Sequence, residues 1–167
     1  DGLKRFYDNI EKYSKKIILR PQEISNNGEV ARPIGVVAMN TALEMDIYGH
    51  VNSTHVTGTK LMNGIGGSGD FARNGALSCF FCHSVAKGGA ISAVVPMCSH
   101  VDHTEHDTHV FISEQGVADV RGLSPKERAK VIINNVAHPT FRDQLMDYFE
   151  RACALNGNSQ TPHILSE

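Results

Sequence analysis

Apolar side chains recur at Leu3, Phe6, Tyr7, Ile10 and Tyr13, with Lys4, Arg5, Glu11, Lys12 and Lys15 between them. That period predicts one amphipathic helix over residues 3–16. The run "KIILR" then predicts a short buried strand stopped by Pro21. "SNNGEVARP" is a loop by its Ser, Asn, Gly and Pro content, with room for one helical turn. Two β-rich runs, about residues 35–47 and 50–56, flank Tyr48-Gly49 and predict a hairpin. After the glycine-dense stretch "GIGGSGDF", "DFARNGAL" predicts a short helix. "SCFFCHSVA" and "AISAVVPMCS" predict strands joined through Lys87-Gly88-Gly89, and "HVFISEQG" predicts another. The last third is helical. Ser124-Pro125-Lys126-Glu127 forms a capping box with proline at the first helical position, where a missing N–H costs nothing. Val131, Ile132 and Val136 give that helix its apolar face. His138-Pro139 opens a second helix, with Phe141, Leu145, Phe149 and Ala152 along one side. Strands between helices, with a glycine loop at a strand–helix junction, predict an α/β layered domain.

Composition narrows the class. The 167 residues suit one domain, and 41% hydrophobic with 20% charged residues is neither disordered nor fibrous. A net charge of -2 leaves no footprint for nucleic acid. No apolar run reaches the roughly 20 residues a membrane span requires. Four cysteines, Cys79, Cys82, Cys98 and Cys153, are too few for a disulfide scaffold of this size and read as reduced thiols. The expected compartment is the mitochondrial matrix or the cytoplasm. The start on Asp1 and the stop at "HILSE" read as a piece of a longer protein.

Three motifs invite chemical readings. Gly64-x-Gly66-x-x-Gly69 has the dinucleotide spacing, but that fold needs an acid about 20 residues on. After Asp70 the next acid is Asp102, and Asp70-Phe71 stand where a phosphate-binding P-loop has Lys and Ser/Thr. Two readings stay open: a tight turn without a ligand, or a loop whose backbone N–H groups approach an anionic oxygen beside a helix N-terminus. Cys79-Phe-Phe-Cys82-His83 has the covalent-haem spacing, yet cysteines three apart on a strand point to opposite faces, which favours two small core residues. "HVDHTEHDTH", from His100 to His109, has the ligand density of a metal site and also the make-up of a hydrogen-bonded polar connection. The expectation is no metal.

Longer stretches carry a more specific signal. "IILRPQEISNN", "MNTALEMDIYGHVNSTHVTGTKLMNGIGGSGDFARN", "AKGGAISAVVPMCSHVDHTEHD" and "SEQGVADVRGLSPKERAKVIINNVAHPTFRDQLMDYFERA" closely resemble, in order from about residue 3 to 152, the C-terminal domain of the acetyl-CoA hydrolase/succinate–CoA transferase family. The resemblance implies a CoA-transferase-like layered α/β domain, with a mixed, largely parallel sheet flanked by helices, facing a related N-terminal domain across the active site. It also implies covalent chemistry. A glutamate attacks an acyl-CoA thioester and becomes a glutamyl-CoA thioester, which a second carboxylate or water then intercepts.

By that resemblance Gly67 offers an oxyanion-binding backbone N–H, and Asn26 lies close to the reacting carboxylates. Leu43, Asn63, Gly67 and Lys87 match CoA-contacting positions. Coenzyme A is a substrate rather than a permanently bound cofactor. The implied partners are acyl-CoA, a small carboxylate such as acetate or succinate, the N-terminal domain and a second copy in a homodimer, with no nucleic acid and no membrane. The family's nucleophilic glutamate sits in a Thr-Glu-x-x-Gln-like segment. Glu11, Glu23, Glu29 and Glu44 do not occur in such a setting, so the nucleophile is expected upstream of Asp1. Gly75 after "FARN", and "FFCHS" where the family has a Pro-Ser-type sequence, depart from the pattern. Other readings kept open are a standalone CoA-binding module and a metal-binding domain built on the His100–His109 segment.

Overall fold

A computed structural model describes residues 4–167. Leu3, the first apolar position of the expected N-terminal helix, lies outside them. The remainder of that helix is two short pieces, α1 (Lys4–Tyr7) and α2 (Ile10–Ser14). Asn9 parts them: its Nδ2 donates to the Arg5 carbonyl at 2.9 Å, a side chain competing with the helical backbone. The strand expected at "KIILR" does not form. Ile18 and Leu19 are 73% and 88% exposed, and a strand is stabilised by its cross-strand pairs, which this run lacks. The chain instead turns at Pro21 into α3 (Gln22–Ser25). "SNNGEVARP", expected as a loop, holds the two-turn helix α4 (Gly28–Ile34). The Asn27 side chain caps it by accepting from the Glu29 N–H at 2.8 Å, and Gly35, at φ +68°, closes it.

Next come β1 (Val37–Thr41), β2 (Glu44–Asp46), β3 (Val51–Asn52), β4 (His55–Val56) and β5 (Lys60–Leu61). The expected hairpin divides here. β2 and β3 pair antiparallel around Tyr48-Gly49, where Asp46 Oδ1 accepts from the N–H groups of Tyr48 and His50 and Gly49 adopts φ +101°. β1 leaves it for the main sheet. The glycine loop leads into α5 (Ser68–Asn74), then β6 (Leu77–Phe81), β7 (Val85–Ala86), β8 (Ile91–Ser92) and β9 (Val94–Val95). β7 and β8 pair across Lys87–Gly89, as expected. "HVFISEQG" supplies β10 (Val110–Ser113), and the chain turns back at once into β11 (Gly116–Asp119), which the sequence reading left out. The last helices are α6 (Pro125–Asn135) and α7 (Pro139–Asn156).

The main sheet has the order β1-β6-β10-β11; β1, β6 and β10 run parallel and β11 antiparallel. A second sheet, β3-β2-β9, stands beside it. Alternation along the strands sends Phe80, Phe111 and Ala118 into one core with Ala72 of α5, Ile132 and Ile133 of α6, and Leu145 and Phe149 of α7. Truncating either fully buried phenylalanine to alanine would cost roughly 3–5 kcal/mol. The opposite face of the sheet carries Val37, Met39 and Val117, each more than half exposed. The chain after α7 returns to the core: the buried Tyr48 hydroxyl donates to the Pro162 carbonyl, and the Ile164 N–H donates to Tyr148 Oη at 3.1 Å.

Candidate functional site

The glycine loop ends on Gly67, which precedes the first turn of α5 with φ -91° and ψ 11°. The positive φ belongs to its neighbour Gly66, at +58°. Glycine at 67 answers to close approach instead: a Cβ there would stand 2.0 Å from Asn26 Nδ2. Two residues far apart in sequence are thus in contact. Among the described residues the Gly67 N–H has no hydrogen-bond acceptor. Asn26, at the end of α3, donates to Asp70 Oδ2 at 3.3 Å, and Gln22 donates to the same oxygen at 3.0 Å. Hydrogen bonds from Gln22 and then Asn26 hold the Asp70 carboxyl below its ordinary range. Gln22, Glu23, Asn26, Asn27, Gly28 and Asp70 line an open cleft of about 560 Å³.

Leu43 and Asn63 meet the same short segment of chain. The Leu43 N–H donates to the Asn52 carbonyl and Asn63 Nδ2 to the Ser53 carbonyl, both at 2.9 Å. That segment connects to the glycine loop through His103, whose backbone pairs with Val51 and whose ring meets Ser68. Lys87 stands apart on the exposed tip between β7 and β8, in the left-handed region at φ +48°. None of the described contacts joins it to the other four.

The histidine-rich segment disperses. His103 is buried, His100 bonds Asp102 and lies tilted against His55 with ring centres 3.8 Å apart, and His109 Nδ1 accepts from the Ser78 N–H. His106 is exposed beside Glu105. Among the described residues no group of three or more His, Cys, Asp or Glu side chains is placed to share a metal ion. All four cysteines are free thiols. Cys79 and Cys98 are buried, and burial pushes Cys82 up to about 12, well above a reactive thiol.

Sequence reasoning passed over a second cleft, of about 480 Å³, at the carboxyl ends of β1, β6 and β10, the end where open α/β sheets bind ligands. Glu114 lies in it and accepts from Ser84 through both its N–H, at 2.9 Å, and its hydroxyl. Those bonds, the hydroxyl's first, hold its carboxyl down to about 2. Glu114 falls inside the run "HVFISEQG" that the sequence predicts as strand, and the observed strand stops one residue before it, at Ser113. A larger apolar cavity, about 570 Å³, lies between α7, β8–β9 and the C-terminal segment, and none of the sequence-predicted site residues lines it.

Comparison with known proteins identifies the family and the fold. The chain is 62% identical over 165 residues to succinyl-CoA:acetate CoA-transferase of Clostridium kluyveri, covering 99% of this chain and 30% of that protein. It is 51% identical over 172 residues to an acetyl-CoA hydrolase of Yarrowia lipolytica, covering 99% of this chain and 33% of that one. It therefore spans about a third of the length of these relatives. The crystal structure of RipA from Yersinia pestis superposes with a TM-score of 0.67 at 31% identity, over 79% of this chain and 30% of RipA. The layered α/β fold is of the CoA-transferase type. The sequence profile described as the acetyl-CoA hydrolase/transferase C-terminal domain matches residues 2–149, and the chain belongs to that family.

Proposed function

We propose that this chain is the C-terminal domain of an enzyme that moves coenzyme A from acetyl-CoA to a carboxylate such as succinate, with water as the slower acceptor. The supporting observation is the contact between Gly67, whose N–H lacks an acceptor among the described residues, and Asn26, at the edge of an open cleft.

A glutamate from the rest of the polypeptide attacks the thioester carbonyl. The carbonyl oxygen takes up negative charge and accepts a hydrogen bond that the Gly67 N–H donates to it. Collapse breaks the C–S bond and leaves an anhydride and the CoA thiolate. The thiolate then attacks the glutamyl carbonyl, acetate departs, and a glutamyl-CoA thioester remains. An acceptor carboxylate reverses these steps; water ends them in hydrolysis. Asn26 supplies an amide N–H beside the same centre. Leu43 and Asn63 flank the path of the CoA chain, and Lys87 meets its charged portion from a mobile-reach side chain on the surface tip. Transfer is preferred over hydrolysis because the transferase relative shares more identity with this chain than the hydrolase does. The enzyme works as a homodimer.

The test compares the 167-residue chain with the full-length protein, each given acetyl-CoA and succinate. The expected result is turnover by the full-length protein only, with a CoA thioester detected by mass on a glutamate outside this chain. Turnover by the isolated chain, abolished by changing one of its own glutamates, would overturn the assignment.

A further inference from the structure

We infer that His103 is a positioning residue for the glycine loop, holding the Gly67 N–H in place through a tether to Ser68; this rests on the oxyanion reading of Gly67. The loop has little to fix it otherwise. Gly64 and Gly66 have no atom within 4 Å of where a Cβ would stand, so each faces open space on that side among the described residues. The side chain of Ser68 makes the local closure: its hydroxyl donates to the Ile65 carbonyl at 2.8 Å and lies 2.9 Å from His103 Nε2. Asn40 adds a longer bond, 3.3 Å, to the Ser68 carbonyl.

His103 can serve as a fixed point because it belongs to the core. It is 1% exposed, its backbone exchanges two hydrogen bonds with Val51, and its ring lies 5.0 Å from that of Phe80. The network also fixes its proton. A serine hydroxyl has one hydrogen, and the Ile65 carbonyl can only accept it. The bond between Ser68 and His103 is therefore donated by the imidazole, from Nε2–H. Nδ1 is left bare, with no partner among the described residues, which a buried acceptor tolerates better than a buried N–H would. Burial lowers the ring's affinity for a second proton, against the raising influence of Asp102 and Asp107 and with that of Arg73, so the neutral ring is the working form.

Ser68→Ala cuts the tether at its solvent side and leaves the core intact, whereas His103→Leu cuts it from within. His103→Gln keeps an N–H at about the reach of Nε2. In the full-length enzyme, with acetyl-CoA and succinate, Ser68→Ala and His103→Leu should each lower kcat about 10- to 100-fold, since a displacement near 1 Å can cost that much. KM for acetyl-CoA should stay within about twofold, because the lost alignment matters in the transition state. His103→Gln should recover most of the rate, and Ser68→Ala added to His103→Leu should cost little more than either alone. Amide exchange at residues 65–67 should quicken in the first two variants and not in the third, and imidazole nitrogen shifts should report the neutral Nε2–H form. Unchanged exchange and unchanged kcat in Ser68→Ala would overturn the inference, as would an equal loss in His103→Gln and His103→Leu. Faster exchange at unchanged kcat would leave the tether standing and sink the oxyanion reading of Gly67 instead.

Discussion

Gly67 shows how a glycine can be required without any unusual backbone. At φ -91° alanine is unstrained, so the cost of Gly67→Ala falls on the Asn26 amide, the end of a side chain that can rotate away. The fold should survive with a melting temperature close to the parent's, while kcat of the full-length enzyme falls on the order of 10²-fold as the donor and the Asn26 amide both shift. A normal kcat with a lowered melting temperature would make this glycine structural. His50 gives a prediction of the opposite kind, in stability rather than rate. Its Nδ1 meets Asp46 at 2.8 Å and its Nε2 meets Glu105 at 2.7 Å. The hydrogen bond to Asp46, and then the charges of Asp46 and Glu105, raise its affinity for a proton above the ordinary value despite burial. The stabilisation is complete below the unfolded-state value near 6.5 and is lost as pH rises through the higher folded one. Melting temperature should therefore fall between about pH 6 and pH 8, and His50→Gln should flatten that slope. An equal slope in the variant would move the effect to another group.

Helices with punctuated ends were the elements most open to sequence reasoning. Glu127 accepts from the Ser124 N–H at 2.8 Å and from its hydroxyl at 2.7 Å, so the capping box read from four residues is built as expected. Ser124→Ala should cost about 1 kcal/mol, within a range of roughly 0.5–2, seen as a lower midpoint in urea with an unchanged slope. The same punctuation misled at "SNNGEVARP", where Asn27 is a cap and Gly35 a closing residue although the density of breakers suggested a loop. "KIILR" failed for another reason: β-propensity expresses a half-buried, paired environment, and among the described residues no partner strand meets that run. The turn from β10 into β11 was hidden because Gly116-Val-Ala-Asp119 is too short to show a period of its own.

At the scale of the molecule, layering was legible and partnership between distant residues was not. Alternating strands and terminal helices pointed to an α/β domain, but only a family resemblance, not spacing, put Asn26 and Gly67 in one site. Among four histidines spaced three apart from His100 to His109, composition cannot tell which one turns inward; the fold selects His103 by pairing it with Val51. The link from Tyr48 to Pro162 has the widest consequence. It joins residues 114 positions apart, and it gives a buried hydroxyl its acceptor. During synthesis on the ribosome that acceptor reaches Tyr48 only after Pro162 has emerged. The buried setting of Tyr48 is therefore complete only once the segment after α7 is in place, so the last residues to be made close the centre of the core.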